Sequence, residues 1–360
     1  MRRIGFVILI VQIAFLSSCN GKNNNIVEEI APTILYYFEK GHNEKYKVST
    51  MVPPIKKEKR TLLTTEETLL KDINTKLDTR YFRDVKDGQL RIVFFSSELA
   101  KEEGIKDIIN ALYLDPYISD RIYLGVVDGD FNKLLEENSE MDYLLYREMR
   151  HNQDRGEIIV SDLHQFLKAV NSKFADPFLP YFKMEDKHLE YNGVALIKDF
   201  KMVDQLTLFE SKILGFLLDD VQFHEVIPLQ KLLVSIGLVN SKVIIKLDNK
   251  GKTVNVTLNL RGIINEYQGE RDLSNRREQQ ELQKEIDAEL QKETLALLKS
   301  FQKNQVDPLQ LGLKTKRLFS QTYQNNEWEK AWPQYDINMD VDLHIKDFGT
   351  YQQKENGYNQ

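Results

Sequence analysis

Histidine is the first side chain to test for chemistry near neutral pH, and the chain has six: His42, His151, His164, His188, His224 and His344. No H-E-x-x-H pair or other closely spaced ligand set brings them together, so each is expected to be structural or surface-borne and no metal is assigned. The single cysteine, Cys19, excludes thiolate metal clusters and Cys-His catalysis within the mature body. Neither a G-x-S-x-G nucleophile elbow nor a Walker loop occurs. Gly125-Val126-Val127-Asp128-Gly129-Asp130 does not match G-x-G-x-x-G and follows a strand, so it reads as a turn into a helix near Phe131–Glu137. Asp336, Asp340 and Asp342 alternate with apolar residues, which places them on a solvated strand face rather than in a calcium loop. Trp328 and Trp332, four residues apart, read as core between a helix and a sheet. Side-chain chemistry therefore predicts no catalytic residue, no cofactor and no metal.

Cys19 has a chemistry of its own, set by what precedes it. Arg2 and Arg3 are a basic start, Ile4–Leu16 is an almost unbroken apolar run, and Ser17 and Ser18 are small. A spanning helix is the weaker reading, because a bilayer needs roughly 20 apolar residues and this run is shorter. Leu16-Ser17-Ser18-Cys19 resembles the lipobox, in which the thiol takes a diacylglyceryl group and the chain is cut just before the cysteine. The expectation is a signal peptide over 1–18, lipidation at Cys19, and a polar tether over 19–25 whose Asn20–Asn25 has no apolar period.

The body after the signal is an ordinary globular composition, 41% hydrophobic and 29% charged in 360 residues. Losing Arg2 and Arg3 takes its formal charge from −6 to −8. An acidic body is repelled by phosphate backbones, which argues against nucleic acid as a partner and leaves the lipid to do the anchoring.

Patterning then supplies the frame. Thr33–Phe38 and Tyr46–Val52 flank the turn cluster Gly41-His42-Asn43 and predict a hairpin, ended by Pro53-Pro54. Thr64 and Glu67 have capping-box spacing ahead of Leu69, Leu70, Ile73 and Leu77, which predicts a helix of three to four turns. Leu90–Phe95, a helix over Glu98–Leu114, and Ile122–Val127 predict a right-handed β-α-β unit with parallel strands. Another helix is marked by Leu163, Phe166, Leu167 and Val170, and Asp176-Pro177-Phe178-Leu179-Pro180 suggests a boundary. Leu189–Ile197 and Lys201–Gln205 predict a second hairpin, followed by a helix capped by Thr207 and Glu210. Asp219–Asn240 leaves short strands and a broken helix both open.

The last third alternates most regularly. Val243, Ile245 and Leu247, then Val254, Val256, Leu258 and Leu260, predict a hairpin turning at Asn249-Lys250-Gly251, with one wet face. Ser274–Asn304 predicts a long helix with an apolar stripe through Leu282, Ile286, Leu290, Leu297, Leu298 and Phe301. The stripe lapses at Glu293 and Thr294, so packing across a sheet is favoured over a coiled coil. Ile337, Met339, Val341, Leu343 and Ile345 predict a half-exposed strand.

Taken in order, these segments resemble the Ger(x)C family of spore germination lipoproteins, the C subunits of nutrient germinant receptors. The likeness is carried by Phe94-Phe95-Ser96-Ser97-Glu98-Leu99 through Ile105 with the Arg121–Val127 strand, and by Asp176-Pro177 with Leu179-Pro180 ahead of Gly193-Val194-Ala195. Arg261–Tyr267, the long helix, Val306-Asp307-Pro308 through Gly312, and Trp328 follow in family order. Family members often continue after the lipidated cysteine with Trp-Asp, where this chain has Asn20-Gly21. The resemblance implies an α+β fold of three domains, each a β-sheet with helices packed against it, here 26–183, 184–240 and 241–352. It further implies a noncatalytic subunit anchored by lipid at the outer face of the inner spore membrane, assembled with membrane A and B subunits. A solute-binding lipoprotein of a transporter is the alternative, weakened because only one β-α-β unit stands out where two lobes of repeated units would be required.

Overall fold

The computed structural model describes residues 29–54, 60–138, 141–218, 227–248, 252–317, 320–321 and 327–348. The signal, Cys19, the tether, His224 and the turn at 249–251 lie outside them. The chain begins with β1 (Ile30–Pro32), β2 (Leu35–Lys40), β3 (Tyr46–Val52), β4 (Thr61–Glu67), α1 (Asp72–Arg80), β5 (Asp84–Lys86) and β6 (Ile92–Ser96). Then come α2 (Ser97–Glu102), α3 (Lys106–Leu114), β7 (Tyr123–Asp128), α4 (Phe131–Glu137), α5 (Met141–Asp154), β8 (Ser161–Asp162) and α6 (Leu163–Ser172). A hairpin pair, β9 (Phe178–Glu185) with β10 (His188–Lys198) and β11 (Lys201–Leu206), leads to α7 (Leu208–Leu217).

One nine-stranded sheet takes most of these strands, in the order β11-β10-β9-β7-β6-β2-β3-β4, with β8 on β7. Its centre is parallel, β2 with β6, β6 with β7 and β7 with β9, and the expected β-α-β unit is one of these pairings. Antiparallel hairpins finish both sides. Strand alternation feeds two cores: Val93, Phe95, Leu124 and Val126 face α1, α2, α3 and α6, whereas Ile92, Phe94 and Val127 face α4 and α5. Continuous apolar strands are what a sheet covered on both faces requires.

The remaining elements are β12 (Ile227–Leu229), β13 (Val234–Asp248), β14 (Thr253–Tyr267), α8 (Arg276–Lys303), α9 (Leu311–Lys314), β15 (Lys316–Arg317), β16 (Ser320–Gln321), α10 (Glu327–Ala331) and β17 (Asp336–Ile345). A second sheet has the order β12-β13-β14-β17, with β13 antiparallel and β17 parallel to β14. Helix α8 crosses one face, burying the predicted stripe against Val256, Leu258, Val341 and Leu343. Thr294, the supposed lapse in that stripe, is buried too, its hydroxyl donating to the Leu290 carbonyl at 2.7 Å. The opposite face is wet, and Asp336, Asp340, Asp342 and His344 are exposed on it.

The α+β, multi-domain class is as expected, and several local readings are corrected. The middle segment does not build a sheet of its own. Its strands β10 and β11 extend the N-terminal sheet through β9, because hairpin strands satisfy their backbone groups most directly on an existing edge. The expected limits at 183/184 and 240/241 both fall within paired strands. Thr64 and Glu67 cap no helix: they lie in β4, where Leu63, Thr65 and Glu67 alternate inward and Thr64 pairs with Ser49. The helix starts later, at Asp72, with no side-chain cap. The helix expected over Glu98–Leu114 is broken at Gly104, whose φ of 82° only glycine adopts freely. That break brings the Ile105 amide to the Phe200 carbonyl, 2.9 Å away at the tip of the β10–β11 turn. Helix α5, unanticipated, buries Leu145 and Met149 on the α4 side of the sheet.

The capping box of α7 is present as predicted: Thr207 Oγ1 accepts from the Glu210 amide at 3.3 Å, and Glu210 Oε2 accepts from the Thr207 amide at 2.8 Å. Thr207→Ala should lower stability by about 1 kcal/mol. Urea unfolding followed by circular dichroism checks it, and an unchanged midpoint would mean that packing alone holds the helix start.

Candidate functional site

Two Asp-Pro dipeptides that stand 131 residues apart in sequence meet where the two sheets join. Asp176 leads from α6 into β9, and Asp307 follows the end of α8. The Asp176 amide donates to the Asp307 carbonyl at 3.0 Å, and the Asp307 amide donates back to Asp176 Oδ2 at 2.8 Å. Proline after each aspartate holds the preceding residue out of the helical region, which keeps both chains extended enough to pair.

Asp307 organises the C-terminal side of this joint. Its Oδ1 accepts the Leu311 amide at 2.9 Å, and Oδ2 accepts the Gly312 amide at 2.8 Å and Trp328 Nε1 at 2.9 Å. The carboxylate thus caps α9 while fixing the indole, and Trp332 Nε1 bonds the neighbouring Val306 carbonyl at 2.9 Å. Trp328 and Trp332 stack with ring centroids 5.9 Å apart, both buried, the core role expected for them. Burial pushes the Asp307 carboxyl up to about 7, although its three N–H donors pull the other way. Asp176 is pushed up to about 6, again chiefly by burial.

Beside the two carboxylates lies a cavity of about 320 Å³ lined by Asp176, Lys198, Phe200, Gln305, Asp307 and Trp328, among others. Lys198, at the end of β10, bridges it: its Nζ is 2.5 Å from Glu329 Oε1 and donates to the Gln305 carbonyl at 3.0 Å. Strand β10 is the element that makes this junction one piece. Ala195 and Ile197 pack into the N-terminal core, while Val194 and Leu196 pack into the C-terminal core with α7 and α8.

This arrangement joins, orients and buries. The five described histidines are all exposed and the structure does not gather them; His164 Nδ1 lies 3.2 Å from Asp120 Oδ2. Among the described residues no group of three His, Cys, Asp or Glu is placed to hold a metal ion, and no helix is long and apolar enough to cross a membrane. Cys19, the predicted lipidation site, is outside the described residues. Asp176 and Asp307 stand in segments that the sequence marks as a boundary and as part of the family likeness, whereas the pairing of Lys198 with Glu329 is announced by no local pattern.

The fold agrees with what known proteins share with the chain. The family model "Spore germination protein N-terminal domain" matches residues 23–184, and "Spore germination B3/GerAC like, C-terminal" matches residues 192–349. The chain belongs to the GerAC-type spore germination family. A curated relative, spore germination protein GerQC of Bacillus cereus, is 25% identical over 273 residues, covering 73% of this chain and 76% of that protein. The solved structure of the GerBC protein superposes with a TM-score of 0.57 at 14% identity, over 86% of this chain and 96% of that one, which speaks for a common fold. The gap between the two GerAC-type matches, residues 185–191, spans the end of β9, the β9–β10 turn and the first residues of β10, the strand that enters both cores further along.

Proposed function

We propose that this protein is the lipid-anchored C subunit of a spore nutrient germinant receptor, acting through contacts with membrane-embedded A and B subunits and catalysing nothing. The observation that carries the reading is the match of both family domains, in order, over nearly the whole chain after the signal. The candidate site supports it, since a buried joint between two cores suits a rigid body that transmits contacts. Two acyl chains on Cys19 would hold the body at the outer face of the inner spore membrane. At about 0.8 kcal/mol per buried methylene, one chain is marginal and two are stable. Confinement there raises the effective concentration of partners, so a modest interface suffices.

Deleting the gene should abolish the nutrient response of one receptor and leave germination by nonnutrient routes intact, and cross-linking in spore membranes should recover the A and B subunits. Unchanged responses to every nutrient, or tight binding of a small solute by the isolated body, would replace this reading with that of a solute-binding lipoprotein. Anchoring has its own check. Cys19→Ala should lose both signal cleavage and diacylation, read by mass spectrometry of the membrane fraction. Wild-type acylation of that variant would refute the assignment. Membrane retention alone decides nothing, because an uncleaved signal is itself apolar.

A further inference from the structure

The five most exposed large apolar side chains among the described residues are Tyr117 (79%), Leu114 (70%), Phe82 (69%), Leu69 (65%) and Tyr113 (64%). All lie between residues 69 and 117, although the described chain runs to 348. They sit on or next to elements that border two adjoining cavities. One cavity is lined by Leu70 and Ile73 at and just before the start of α1, by Leu112 in α3 and Ile118 beyond it, and by Tyr36 and Phe38 of β2. Leu69, Tyr113 and Leu114 neighbour those lining residues in sequence. A second cavity shares Asn74, Asp87 and Asp115 with the first and reaches Tyr117, Ile30 and Pro32.

Ile30 and Pro32 are β1, so the corner around the two cavities is also where the described chain begins. Strand β1 runs parallel to β5 with Ile30 opposite Asp84, and Arg83 donates to the Ile30 carbonyl at 3.3 Å. Phe82 therefore stands next to the point of entry, and Tyr117 lines the other side of it. From Cys19 to Glu29 the chain takes ten steps, which reach at most about 36 Å when fully extended. A globular body of this length has a radius of gyration of about 20 Å, so the tether is shorter than the body is wide. The anchor is therefore held within reach of this corner, while the far side of the body lies beyond it.

We propose that this corner is the membrane-facing surface of the protein, with Phe82, Tyr117 and their neighbours seated in the headgroup region of the bilayer. The proposal rests on the anchoring of Cys19. Tyrosine and phenylalanine suit that depth, their rings amphipathic or apolar at a boundary that is wet on one side. Asp84 is paired with Lys86 at 3.3 Å, and the carboxylates Asp78, Asp87 and Asp115 that line the same cavity leave it net acidic, which favours neutral headgroups over anionic ones. Leucines at 69 and 114 add apolar area, and no basic cluster is needed where acyl chains already hold the body.

Cys19 is the only native cysteine, and its diacylated sulfur does not react with thiol labels, so one introduced cysteine gives one labelled position. Full-length acylated protein carrying Phe82→Cys, Tyr117→Cys or, on the wet face of the second sheet, Ile244→Cys is labelled with an environment-sensitive fluorophore. Each is reconstituted into vesicles of phosphatidylcholine with brominated acyl chains, and mass spectrometry of the same sample reads the acyl group. Labels at 82 and 117 should lose about half of their emission, as expected for an apolar face seated roughly 5–10 Å into the headgroup boundary, and the label at 244 should lose none. Acylated protein with no quenching at 82 and 117, or with equal quenching at 244, overturns the proposal alone. Shielding that appears only when the membrane subunits are co-reconstituted also overturns it, assigning the corner to a protein contact. An unacylated chain overturns the anchoring reading, and this surface with it.

Discussion

Gly193→Ala should cost the folded protein about 3–5 kcal/mol, enough to unfold a marginal domain at moderate temperature. Gly193 sits in a bulge of β10, where the register against β9 shifts between Tyr191 and Val194. Its φ is 114°, a region closed to ordinary side chains. A Cβ placed there would lie 2.0 Å from the Leu206 carbonyl oxygen and 3.0 Å from the Thr207 carbonyl carbon, both backbone atoms that no rotamer change can move. Relief requires shifting β11 away from β10, and both strands enter the junction between cores. Val194 and Leu196 would leave one core as Ala195 and Ile197 leave the other. Loss should therefore be cooperative across the chain. Denaturant unfolding should show a lowered midpoint by fluorescence of the C-terminal Trp328 and Trp332 as well as by circular dichroism. A midpoint within about 0.5 kcal/mol of wild type would mean that the bulge rearranges freely, as surface positions do.

That glycine also shows what the sequence made legible. Gly193-Val194-Ala195 was singled out through family resemblance, but the reason for it is a bulge whose clash partner, Leu206, lies on another strand. Strict alternation over Val254–Leu260 and Ile337–Ile345 was readable because period-two burial on a one-faced sheet leaves a direct trace. The α8 stripe was readable for the corresponding helical reason. Thr64 and Glu67 misled because capping-box spacing, three residues, is also compatible with a strand, and only the open edge of β3 decides between them. Gly104 lies inside a helical apolar pattern, and its role depends on Phe200, almost a hundred residues away. What stayed hidden in the site is of the same kind: Asp176 with Asp307 and Lys198 with Glu329 are long-range pairs, and no single window of sequence contains both partners.

Asp307→Ala should be comparably damaging, about 3–5 kcal/mol, because it strands the Leu311 and Gly312 amides and the Trp328 indole N–H inside the protein. The neighbouring cavity admits water to part of this joint and keeps the loss below the sum of three orphaned donors. Asp307→Asn separates charge from hydrogen bonding. One amide oxygen still accepts, but the amide nitrogen faces a donor, so a smaller loss, about 1–3 kcal/mol, is expected. The two variants should also differ from wild type in pH dependence. Burial raises the folded Asp307 carboxyl to about 7 from an ordinary value of 3.8, so the folded state binds the proton more tightly than the unfolded chain does. Stability contributed by that proton is complete below about pH 4 and is lost as pH rises through about 7. Asp176, raised to about 6, acts in the same direction and remains in both variants. Urea midpoints measured from pH 5 to pH 7.5 should therefore fall more steeply in wild type than in Asp307→Asn. Equal slopes would show that the three N–H donors hold Asp307 ionised throughout, and that the joint is a pH-independent clamp.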